Sequence, residues 1–96
     1  MATPEGKVKD KVKKLLKEYG AYWFMPVQAG FGAPGLDFHC AVNGIALFIE
    51  TKAGNKQPTP RQETTIAAIQ KSGGVVFVVN ELTGLAELEA WLKLNT

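Results

Sequence analysis

Cysteine and histidine are nearly missing from this 96-residue chain, which has one of each, His39 and Cys40, side by side. A lone cysteine cannot close an internal disulfide, and without a second thiol it cannot found a thiolate metal site. That excludes zinc-ribbon and thiol–disulfide chemistry and fits a reducing cytoplasm. Cys40 lies in an apolar run and reads as a small buried hydrophobe. Long apolar runs are missing too. None approaches the roughly 18 to 20 residues that span a bilayer, and Met1-Ala2-Thr3-Pro4-Glu5 lacks the charged-then-apolar layout of an export signal. The expectation is a soluble cytoplasmic protein with no membrane partner. Repeats, low-complexity segments and linkers are also lacking, and a chain this short cannot supply two hydrophobic cores, so residues 1–96 are expected to form one domain.

What is present is ordinary in amount and uneven in placement. Apolar residues make up 46% and charged residues 21% of the chain, a globular composition, and the net charge is only +2. Yet Lys7, Lys9, Lys11, Lys13, Lys14 and Lys17 crowd into one short stretch. Thr3-Pro4 reads as a helix cap followed by proline in the first turn, and Val8, Val12, Leu15, Leu16 and Tyr19 then recur at helical spacing until Gly20. These five span an arc of roughly 100°; Glu5 projects inside that arc and the lysines lie outside it.

The remaining elements follow from period and punctuation. Residues 22–27, rich in aromatics, read as a strand with Pro26 near its end. Three glycines and a proline in residues 29–35 mark a loop leading to a strand over 36–42. Asn43-Gly44 signals a tight hairpin into a strand over 45–52. Thr59-Pro60 opens a second helix whose inner face carries Gln62, Ile66 and Ile69, and Gly73-Gly74 stops it. Residues 75–79 are uniformly apolar, the pattern of a strand covered on both faces. A last helix from about Glu81 to Leu94 is expected to pack Leu82, Leu85, Leu88, Trp91 and Leu92. The order α-β-β-β-α-β-α gives an α/β domain with a mixed central sheet flanked by helices.

One constellation carries chemistry. Alternate residues of a strand share a face, so Glu50 and Lys52 point one way and Ile49 and Thr51 the other. Pairing through Asn43-Gly44 sets positions whose numbers sum to about 87 opposite one another, which puts Asp37 beside Glu50. Two carboxylates next to an ammonium can hold a hard cation through oxygen ligands, and a structural ion pair would use the same groups. A Mg²⁺ or Mn²⁺ ion there could polarise a phosphoryl oxygen and lower the pKa of bound water, while the lysine orients the attacking water.

Taken in order, Glu5 on a helix, Gly32-Ala33-Pro34-Gly35-Leu36-Asp37, Glu50-Thr51-Lys52 closing an apolar strand, and Gln62 opening the next helix resemble the VRR-NUC branch of the PD-(D/E)XK nuclease superfamily. The resemblance covers about residues 4–80, with the proline and aspartate separated by Gly35-Leu36. It implies a PD-(D/E)XK-type domain and a stand-alone, phage or bacterial type of protein. It further implies Mg²⁺ or Mn²⁺ held by Asp37, Glu50 and the Thr51 carbonyl, a catalytic role for Lys52, and Glu5 and Gln62 completing the site. Gln62 also suits a capping box with Thr59, and Glu5 suits the positive end of its helix. His39 shares the strand face of Asp37 and is either a candidate to approach the metal or substrate or an incidental histidine.

A nuclease must hold a polyanion, and Lys7, Lys11 and Lys14, with Lys56 and Arg61, are candidates to neutralise phosphates. Phe31, in the glycine-rich loop, is a candidate to stack on or wedge into nucleic acid, or to anchor that loop. The resemblance implies a homodimer that cuts branched DNA such as four-way (Holliday) junctions; duplex DNA as the substrate and an RNA-directed nuclease with the same site are alternatives. Apolar positions on the first and last helices, including Trp91, are candidates for its interface. The competing expectation is a noncatalytic nucleic-acid-binding module using the lysine-rich helix.

Overall fold

A computed structural model describes residues 3–26 and 35–96. Its elements run α1 (Pro4–Glu18), β1 (Tyr22–Phe24), β2 (Phe38–Val42), β3 (Ile45–Thr51), α2 (Pro60–Lys71), β4 (Val75–Val79) and α3 (Leu85–Asn95). This is the expected order. The sheet is arranged β1-β2-β3-β4, antiparallel through β3 and then parallel between β3 and β4, with α2 as the crossover.

The core lies on one face of that sheet. Val8, Val12, Leu15 and Leu16 of α1 and Leu88 and Leu92 of α3 pack with Phe38, Cys40, Val42, Leu47, Ile49 and Val79 of the strands. Alternation sends Leu47, Ile49 and Thr51 into this core, and Phe48 and Glu50 to the opposite face. There α2 approaches so closely that a Cβ on Gly74 would meet the Ile69 side chain at 2.5 Å and the Phe48 ring at 3.1 Å. Val8, Val12, Leu15 and Leu16 of α1 and Leu88 and Leu92 of α3 are thus buried in the core, while Trp91 is partly buried and Leu94 is exposed on α3.

Three features differ from the sequence expectation. β1 is only three residues long, and the chain leaves the ladder before Met25-Pro26, as the missing proline N–H favours. β4 is half-covered, with only Val79 buried, because it is an edge strand paired to β3 alone. α3 begins at Leu85, leaving Leu82 74% exposed. The residues before α3 form a turn around buried Asn80, whose Oδ1 accepts from the Leu82 and Thr83 N–H groups at 2.9 and 2.7 Å. The turn ends at Gly84, with φ +98°, where a Cβ would lie 2.2 Å from the Val78 carbonyl oxygen. Gly84→Ala is expected to cost roughly 2 to 4 kcal/mol through left-handed strain plus collision with backbone, measured as a fall in denaturant midpoint.

Candidate active site

The hairpin delivers the two central carboxylates. Asn43 and Gly44, both at positive φ, make the tight turn, and the register runs from Val42↔Ile45 to Phe38↔Ile49, so the next position outward sets Asp37 opposite Glu50. Leu36, fully buried, pins the chain just before Asp37. The two residues between the proline and aspartate thus include an anchor for the strand entry. Gly32, Ala33, Pro34 and Phe31 lie outside the described residues, so the loop sequence motif is placed only from Gly35 onward.

Asp37 is held by its neighbour strand. Its Oδ2 accepts hydrogen bonds from the Thr51 backbone N–H at 2.9 Å and the Thr51 hydroxyl at 2.8 Å. Thr51 is fully buried with its side chain toward the core, and this bond to Asp37 is what satisfies its hydroxyl there. One peptide further on, the Lys52 N–H donates to the Val79 carbonyl at 2.9 Å, so β4 fixes the Glu50-Thr51-Lys52 segment.

Glu50 is 4% exposed. Its Oε2 accepts from the Gln62 side-chain amide at 2.8 Å and lies 3.7 Å from Lys52 Nζ, and the Asp37 backbone N–H also donates to its carboxylate. Burial first, and then the negative charges of Asp37 and Glu5, nonetheless push the Glu50 carboxyl up from 4.5 to about 7, against the opposing pull of Lys52. Gln62 serves two purposes. Its Oε1 accepts from the Thr59 backbone N–H at 3.0 Å while its own N–H donates to the Thr59 hydroxyl at 3.2 Å, closing the capping box of α2.

Glu5 comes from the first turn of α1, close enough to raise the Glu50 carboxyl but paired to Lys9 Nζ at 2.6 Å. Lys9 in turn lies 4.0 Å from Asp37 Oδ2. Lys9 is a site residue that the lysine pattern did not single out; its signal was the four-residue spacing from Glu5, which puts both on one helix face. Among the described residues no group of three or more His, Cys, Asp or Glu side chains could by itself hold a metal ion. The donors the resemblance implies are instead two carboxylates, Asp37 and Glu50, and the carbonyl of Thr51, which follows Glu50. Such a set suits Mg²⁺ or Mn²⁺, which take one or two carboxylates and keep several waters. Glu50 supports the fit: it is a buried carboxylate short of compensating positive charge.

The other candidates divide. His39 sits between the rings of Phe24 and Phe48, at centroid distances of 5.4 and 5.0 Å, with Nε2 buried and without a hydrogen-bond partner. Desolvation lowers its pKa, and it joins no cluster of possible metal ligands among the described residues. Cys40 is buried, as expected of a small hydrophobe, and desolvation pushes its thiol up to about 12. Lys56 and Arg61 are exposed in and after the loop that follows Lys52. That loop is tied down by Glu81, which donates its backbone N–H to the Gly54 carbonyl and accepts the Gly54 N–H, and by the Asn80 amide on the Lys56 carbonyl. Lys7, Lys11 and Lys14 are exposed, but Lys11 borders a hollow shared with Glu81, Glu87 and Glu89. The opposite flank of α1 carries Lys9, Lys13 and Lys17 in a row at four-residue intervals, starting at Asp37.

Known structures can be set against this geometry. A solved structure described as a VRR_NUC domain superposes with a TM-score of 0.76 at 24% identity, covering 96% of this chain and 97% of that one. The chain has the VRR_NUC fold. Archaeoglobus fulgidus Hjc, described as a Holliday junction resolvase from an archaeal hyperthermophile, matches with a TM-score of 0.60 at 16% identity over 77% of this chain and 65% of that one. No protein-family model and no curated protein matches the sequence. Within the VRR_NUC fold the elements that bear Asp37, Glu50 and Gln62 are the hairpin and the start of the crossover helix, while Glu5 and Lys9 come from the opening helix.

The raised Glu50 pKa has a sign in stability. Between pH 4.5 and about 7 the folded protein binds more protons than the unfolded chain, so stability falls as pH rises through that window and levels off above it. With divalent ions chelated, the decline is expected to be on the order of 3 kcal/mol, read from denaturant midpoints between pH 4.5 and 8. Glu50→Gln should remove most of it; an unchanged slope in that variant would show that Glu50 is not the group responsible.

Proposed function

We propose that this protein is a divalent-metal-dependent DNA endonuclease that works as a homodimer on branched DNA such as four-way junctions. The observation that carries the reading is the pairing of Asp37 with a buried, undercompensated Glu50 at the open end of one hairpin, with Lys52 Nζ 3.7 Å from Glu50. The VRR_NUC fold around it supports the reaction class, and the likeness to a protein described as a Holliday junction resolvase supports the branched substrate.

Asp37, Glu50 and the Thr51 carbonyl would hold Mg²⁺ or Mn²⁺, which would supply Lewis-acid activation of the phosphodiester and of water. The chain's own groups do the rest. Thr51 fixes the Asp37 carboxylate through two hydrogen bonds, and the Gln62 amide fixes Glu50. Lys52, on the same strand face as Glu50, offsets phosphate charge and orients the attacking water. A single small domain presents one such site; two symmetry-related copies would present one to each of two strands. The exposed apolar surface available to a second copy includes Tyr22 and Phe24 on β1 and Leu94 on α3.

Phosphates would follow the Lys9–Lys13–Lys17 row, which leads away from the site at about 6 Å per step, rather than the flank of Lys7 and Lys11 beside the α3 acids. Lys13→Glu/Lys17→Glu is expected to weaken binding of a four-way junction at least tenfold at low salt, and Lys7→Glu/Lys11→Glu markedly less, by electrophoretic mobility shift. The reverse ranking would overturn this path.

The reaction itself is tested with labelled four-way and linear DNA, with Mg²⁺, Mn²⁺ or chelator, in protein whose mass in solution is measured by light scattering. Junction cleavage by a dimer, dependent on divalent ions, is expected, and Lys52→Ala should slow it by at least about 100-fold. Equal cleavage by that variant would remove the mechanism. Salt-sensitive binding without any cleavage would identify a noncatalytic nucleic-acid-binding module instead.

A further inference from the structure

Lys9 already occupies the negative end of the candidate site. Its ammonium lies 2.6 Å from Glu5 Oε2 and 4.0 Å from Asp37 Oδ2, and its side chain is only 22% exposed. Five other lysines share α1, but this one is directed at the site by its position one turn beyond Glu5. A positive group beside Asp37 opposes the approach of a second, doubly positive ion to the same carboxylate. At such distances the repulsion is worth more than thermal energy unless the side chain moves or solvent screens it. The lysine stem is long and has freedom to move, and Glu5 gives its ammonium a partner outside the carboxylate pair.

We propose that Lys9 is a built-in stand-in cation, neutralising Asp37 and Glu5 in the metal-free protein and withdrawing from Asp37 when a divalent ion enters. The inference rests on the reading of Asp37 and Glu50 as ion ligands, and makes Lys9 a positioning residue that lowers the site's affinity for the ion. Ion loading is then an exchange of cations and not the filling of a bare acidic cleft. A withdrawn Lys9 would stay at the head of the Lys13–Lys17 row.

The test is calorimetric titration of Mn²⁺ into the full chain, without DNA, so that binding is read apart from activity. Lys9→Met keeps a long apolar stem with good helix propensity and deletes the charge; Lys9→Gln is the second variant should the first fail to fold. The charge-deleted protein is expected to bind Mn²⁺ roughly tenfold more tightly than wild type, and the gain should shrink as monovalent salt rises. Lys9→Arg should restore the wild-type value. Equal or weaker binding by a folded charge-deleted variant would overturn the proposal while leaving the metal site intact. Failure of wild type, Lys9→Met and Lys9→Gln alike to bind Mn²⁺ would overturn the metal reading and this inference with it, whereas binding lost only in Asp37→Asn leaves the metal reading standing.

Discussion

Burial of the Glu50 carboxylate is the constraint around which this molecule is arranged. An interior strand carries it out of water, and desolvating an ionised acid is unfavourable unless hydrogen bonds and opposite charge make up the difference. Here the compensation is partial. Lys52 and the Asp37 backbone N–H favour the charged form, while burial, the largest contribution, and the charges of Asp37 and Glu5 oppose it; the Gln62 amide adds a hydrogen bond to the carboxylate. The result is a carboxyl held well above the usual carboxylate range.

The fold meets this constraint by bringing four separate segments to one end of the sheet. A tight hairpin pairs the two acids, a parallel neighbour strand grips the peptide after Thr51, and the helices on opposite faces contribute their opening turns. Helix N-termini are suitable places for groups that must sit near negative charge, because their unpaired N–H groups and dipole are positive. The change from antiparallel to parallel pairing at β3 matters as well. It allows α2 to cross over the outer face and present Gln62 to Glu50, while α1 and α3 seal the other face.

Much of this was legible in the sequence, and the exceptions have physical reasons. The Asn43-Gly44 turn and strand alternation suffice to put Asp37 opposite Glu50, since a two-residue turn fixes register. Gln62 was legible twice over, as a cap partner and as an inward amide. Lys9 was not singled out, because among many lysines on one helix a helical wheel alone does not say which flank meets the site; that depends on how α1 is rotated over the sheet. The position of His39 between two phenylalanine rings depends on cross-strand neighbours from three strands, and the turn at Asn80 and Glu81 depends on a loop closing against Lys56 and Gly54, 24 and 27 positions earlier. Uniformly apolar Val75–Val79 was misleading about coverage, since such a run does not reveal whether a strand lies at an edge.

The double duty of Gln62 decides which side chain can stand there. A capping box accepts glutamate as readily as glutamine, because either supplies the oxygen that receives the Thr59 N–H. Only the amide also has a hydrogen to give, and the recipient is an anion. An acid at this position would leave the helix start intact while setting another negative charge against the buried one. Between two residues that helix formation treats as equivalents, the choice is therefore made by chemistry at the end of a different strand.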